Sequence, residues 1–104
     1  MGKKINEITK KWVNKHGIPE IMANALALYL FKGIHPGGFL LAVLSNDLVG
    51  AIQRADDINI KLLKEYATIL YWDFPMVAWG SKEKMEKWME NEGLKGLQDG
   101  EYED

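Results

Sequence analysis

A chain of 104 residues has room for one compact domain, at roughly 100–200 residues per domain. Hydrophobic residues at 47% and charged residues at 27% exclude disorder over most of the length, and thirteen cations against fifteen acids, for a net charge of −2, argue against general nucleic-acid binding. The lack of cysteine removes disulfide scaffolds, zinc knuckles and thiol catalysis, and a single arginine, Arg54, weakens base reading or multiple phosphate clamps.

The pattern is helical almost throughout. Ile5, Ile8, Trp12 and Val13 make one apolar stripe opposite Lys4, Lys10, Lys11 and Lys15, and Gly17 ends that first helix. Pro19 opens a second helix to about Lys32, with Glu20 favourably placed on the dipole. Its apolar residues wrap nearly all round, so it is expected to be central, and no run approaches the ~18 apolar residues of a membrane span. Glycine followed by an apolar residue recurs at Gly17-Ile18, Gly33-Ile34 and Gly93-Leu94, three helix stops that predict an all-α fold.

Pro36 is expected to open a third helix through Phe39, Leu40, Leu41, Val43 and Leu44. From there Ser45, Asn46 or Asp47 caps a fresh helix to Ala55, or the phase of Leu40, Leu44, Leu48, Ile52 and Ala55 continues one kinked helix; the pattern leaves both open. Asp56 or Asp57 caps the next, with Leu62, Leu63, Tyr66, Ile69 and Leu70 as its buried stripe and Pro75 as its stop. Ser81 caps a last helix carrying Met85, Trp88 and Met89, with Tyr66 and Trp88 expected in the core. The architecture predicted is a compact single-domain bundle of five to six short helices over residues 1–93, with residues 94–104 an acidic tail expected to be disordered. Residues 1–16 hold five lysines and one glutamate, residues 90–104 six acids and one lysine. That asymmetry serves solubility or a contact between subunits.

For chemistry the most informative segment is 32–39. A helix opening at Pro36 would aim the free amides of Gly37, Gly38 and Phe39 outward, and with Lys32 and His35 alongside they make a phosphate or carboxylate seat. The same Gly-Gly pair also serves a plain tight turn. Arg54 is a bidentate anion clamp or the partner of Asp47 or a nearby aspartate. Tyr71, Trp72 and Trp79 crowd around a proline turn outside clear periodicity, where rings stack a base or fill an interface. His16 and His35 have no partners at metal-ligand spacing, and no nucleophile–base pair or dinucleotide fingerprint is visible, so no metal, cofactor or enzymatic activity is expected.

The wording from about Gly33 to Trp88 resembles a group of small bacteriophage and prophage proteins. The carriers are Gly-Ile-His-Pro-Gly-Gly-Phe-Leu-Leu-Ala-Val-Leu-Ser-Asn-Asp-Leu, then Arg54-Ala-Asp, then Ala78-Trp-Gly-Ser-Lys-Glu-Lys. The resemblance implies a phage setting, hence the host cytoplasm, and brings no catalytic residues. Small phage proteins of this kind often counter host defence, some by trapping a nucleotide signal and others by binding a host protein. The leading expectation is a non-enzymatic, homo-oligomeric protein that sequesters a nucleotide on Lys32, His35, Gly37, Gly38, Phe39 and Arg54, with Tyr71, Trp72 or Trp79 against the base. The alternative is a helical inhibitor or regulator of a host defence protein.

Overall fold

Glycine punctuation sets the first two elements. Helix α1 (Gly2–His16) stops where Gly17 turns left-handed at φ 71°, and α2 (Glu20–Lys32) stops at Gly33, φ 69°. At each stop the next amides fold back: Gly17 onto Val13 and Ile18 onto Trp12, then Gly33 onto Tyr29 and Ile34 onto Leu28. The computed structural model describes residues 2–94, with side chains from Ile5 onward, so the acidic tail expected at 94–104 lies outside the described residues beyond Leu94.

Chain order continues with α3 (Gly38–Leu44), α4 (Leu48–Arg54), α5 (Asp57–Ile60), α6 (Leu63–Asp73), a 3-10 turn (Met76–Ala78) and α7 (Lys82–Glu90). Among the described residues there are seven α-helices and no strand, so the all-α expectation holds while the count exceeds five to six. Two local breaks account for the number. Asn46 takes φ 66° and the Asp47 amide reaches back 2.8 Å to the Ala42 carbonyl, which separates α3 from α4. Asp56 caps α5 through the amides of Ile58 and Asn59, and then Lys61 and Leu62 bond three residues back rather than four. That tightening parts α5 from the α6 stripe. Phe74, extended before Pro75, ends α6, and Ser81 caps α7 through the Lys84 amide at 3.1 Å.

The core gathers Trp12 and Ile18, most of α2, the inward faces of α3 and α6, and Met85 and Trp88 of α7. Its centre is a run of stacked rings, Trp12 on Phe74 and Phe74 on Tyr29. Each polar tip in it is satisfied: Trp12 Nε1 donates to Asp73 at 2.8 Å, Tyr29 OH to the Ala78 carbonyl at 2.6 Å, and Trp88 Nε1 to the Tyr29 carbonyl at 3.0 Å. Tyr66 and Trp88 lie in the core, as expected. The radius of gyration of 12.8 Å matches the ~13 Å of a compact chain of this length.

Candidate binding surface

The residues expected to form one site lie in three places. Gly37, at φ 99° and ψ 162°, adopts a backbone open to glycine and serves as the cap of α3, so the helix opens at Gly38 and not at Pro36. The Gly37 amide donates to His35 Nδ1 at 3.1 Å within the same turn, which removes it from the expected donor set. The Phe39 ring turns inward, edge-on to Tyr66 at 5.3 Å. With seven residues, α3 carries little of the dipole on which the expected anion seat relied.

Gly38 and Arg54 do come together. A Cβ on Gly38 would touch Arg54 Cδ at 3.4 Å, and both residues line a cleft of about 250 Å³ with Ser45, Asp47 and Lys82. Arg54 is held there by the Gly50 carbonyl at 3.2 Å; among the described residues it forms no ion pair, so the expected bond to an aspartate is not made. Lys32 and His35 line neither this cleft nor the grooves described next.

Tyr71, Trp72 and Trp79 gather elsewhere, in a groove of about 490 Å³ walled by α3, α4 and α6. Its surface is mainly carbon, from Ala42, Val43, Leu48, Ala51, Leu63, Ala67 and Leu70, with Asn46 and Thr68 as neutral polar groups and Lys64 and Asp47 the charged ones. Tyr71 and Trp72 are 67% and 75% exposed and pack edge to face on each other, 4.9 Å apart at 83°. That geometry leaves no parallel slot between them for a base. The Trp79 indole N–H is buried with no acceptor among the described residues. Leu48, in phase with Leu40 and Leu44, stands 64% exposed on the groove wall.

Trp72 and Thr68 also line a second hollow, of about 470 Å³, that runs on to Lys11, Lys15 and His16 of α1. Two of these side chains have partners: Lys11 reaches Asp73 at 3.0 Å and His16 Nδ1 lies 2.7 Å from Glu65. Lys15 and Lys64 have no side-chain partner among the described residues. The basic face of the first helix was legible in the sequence; its meeting with Trp72 across 57 residues was not.

Comparison with family models, with curated proteins and with solved structures returns no match for this chain. Among the described residues no three His, Cys, Asp or Glu side chains are grouped to hold a metal ion, and no helix is long and apolar enough to cross a membrane.

Proposed function

We propose that this chain is a non-enzymatic binding protein of a phage setting, acting in the host cytoplasm as an inhibitor or regulator of a host protein, with the groove between α3, α4 and α6 as its contact surface. The observation that carries the reading is the character of the groove, rings and carbon walls with two of its rings exposed, while Gly38 and Arg54 line an adjoining cleft that shares Ala42 and Asp47 with it. A protein partner needs a ring-lined apolar groove with exposed anchors, and Lys64 is the one cation in the lining of this groove to meet a phosphate. Self-association belongs to the same proposal: with the groove empty, Leu48, Tyr71 and Trp72 present the surface through which copies would meet. The phage setting rests on the wording of residues 33–88.

Two measurements together test this. Calorimetry with linear and cyclic nucleotides is expected to give no binding heat, and immobilised chain is expected to retain a discrete host protein. Arg54→Ala keeps that capture and Leu48→Asp loses it. A nucleotide that binds the wild type and is lost on Arg54→Ala overturns the proposal in favour of nucleotide sequestration.

A further inference from the structure

The apolar groove does not end at Trp72. Its ring is shared with the α1 hollow, so one continuous surface passes from carbon walls to lysines. The charge on that surface is specific in amount. Asp73 already neutralises Lys11 and Glu65 engages His16, which leaves Lys15 beyond Trp72 and Lys64 on the α6 wall as the cations without partners, against one acid, Asp47, whose carboxylate accepts from the Gly50 amide. A polyphosphate calls for several unpaired donors converging on one point. Two single cations flanking exposed rings match isolated carboxylates spaced along an apolar ligand.

Helix walls offering pockets for large side chains are the setting in which an amphipathic helix is received, its apolar face inward and its flanking charges on the rim. We infer that this surface takes an acidic amphipathic helix of the partner protein, its apolar side chains on Tyr71 and Trp72 and its carboxylates on Lys15 and Lys64. The inference rests on the protein-binding reading above and adds the chemistry of the partner segment. Ring anchors supply the affinity and lysines the sign of the selected charge.

The test uses the full chain and three labelled synthetic helical peptides with the same leucine and phenylalanine face, flanked by glutamates, by lysines or by glutamines, with adenosine and guanosine nucleotides as a fourth arm. Fluorescence anisotropy is expected to show the glutamate peptide binding tightest, more weakly as salt rises. Trp72→Ala should weaken it about tenfold or more, and Lys15→Glu with Lys64→Glu should abolish its advantage over the lysine peptide. Lys87→Glu, a charge reversal on α7 away from the groove, should have little effect. Trp72, Lys15 and Lys64 are exposed or half-exposed, and a thermal melt checks that each variant folds. Equal or tighter binding of the lysine or glutamine peptide, lost in Trp72→Ala, overturns the acidic preference and leaves the protein-binding groove standing. Binding of a nucleotide and of no peptide overturns both. Silence of all three peptides up to about 1 mM, the weak end of recognition, overturns the inference while leaving host-protein capture to decide the reading beneath it.

Discussion

Gly33 and Gly93 lie 60 positions apart and meet backbone to backbone. A Cβ on Gly33 would come within 2.9 Å of the Gly93 nitrogen, and one on Gly93 within 2.7 Å of both the Gly33 nitrogen and the Leu30 carbonyl. Both also sit at positive φ, so an alanine there suffers backbone strain and a clash with atoms that cannot rotate away. Gly17 shares the φ but has open space around it. Chemical denaturation is therefore expected to rank them: Gly17→Ala costs about 1–2 kcal/mol for the left-handed conformation alone, and Gly33→Ala or Gly93→Ala about 3 kcal/mol or more. Equal losses at the three positions would refute the contact. The stops at 17 and 33 were readable because glycine and a following apolar residue are a local signature. The meeting of 33 with 93 was not, because it belongs to the docking of α2 against the end of α7. The buried phenols add a second expectation. Burial pushes Tyr29 well above its ordinary range, and burial with the negative Asp56 nearby does the same for Tyr66. The unfolded chain then loses these protons first, so stability is intact below about pH 10 and falls as pH rises beyond it. Ultraviolet difference absorbance should show these two phenols ionising together with the loss of near-ultraviolet circular dichroism; ionisation of both with the tertiary signal intact would contradict it.

Between α3 and α4 one pair of residues does the work of a linker. Asn46 supplies the left-handed residue and Asp47 the cap, its carboxylate accepting from the Gly50 amide at 3.0 Å. Asp47→Ala is expected to cost about 1 kcal/mol, whereas Asn46→Gly, which keeps the conformation open, should be neutral or gain a few tenths. If Asn46→Gly destabilises as much as Asp47→Ala, the turn is held by the Asn46 side chain and not by its backbone. The sequence left one kinked helix and two helices equally open here, because the phase of Leu40, Leu44 and Leu48 runs straight through the turn. Periodicity measures which residues share a face, and it carries no information on whether the backbone between them is continuous. The same limit hid the exposure of Leu48 and Ile52: α4 is short and turned, so residues in phase with α3 face outward. The donor seat is displaced for a related reason, with the Gly37 amide engaged by His35 and those of Gly38 and Phe39 in the first turn of α3. Proline at the first helical position is a tendency, and here Gly37 takes a conformation that delays the helix by two residues.

Across the molecule, the apolar surplus falls where composition alone could not put it. A second helix apolar on nearly every face, and more rings than one small core can hide, are the two grounds on which the sequence predicts a homo-oligomer; the chain itself buries Ala23, Leu26, Ala27, Tyr29, Leu30 and Phe31 of that helix, with Ile21 left 77% exposed. The exposed surplus instead lies on α4, α6 and the following turn, at Leu48, Val49, Tyr71, Trp72, Met76 and Val77. The rings of the candidate site were legible because they fell outside helical phase around Pro75, but their groove needed α3 and α4 to fold across α6. Self-association is accordingly expected to run through this rim and not through α2. Light scattering should show the mass of the wild type rising above one chain as concentration increases. Leu48→Asp places a charge on a residue 64% exposed, and Trp72→Ala removes a ring 75% exposed, so each should return the mass to that of a monomer. Neither side chain supports the core, and the thermal midpoint should move little, in contrast to Leu44→Asp, which buries a carboxylate at a fully enclosed position and should unfold the chain. An Ile21→Asp variant separates the two faces. Dispersal by Ile21→Asp with Leu48→Asp still associated would move the contact to α2, and a wild type that stays monomeric throughout would remove self-association while leaving the groove free for a partner.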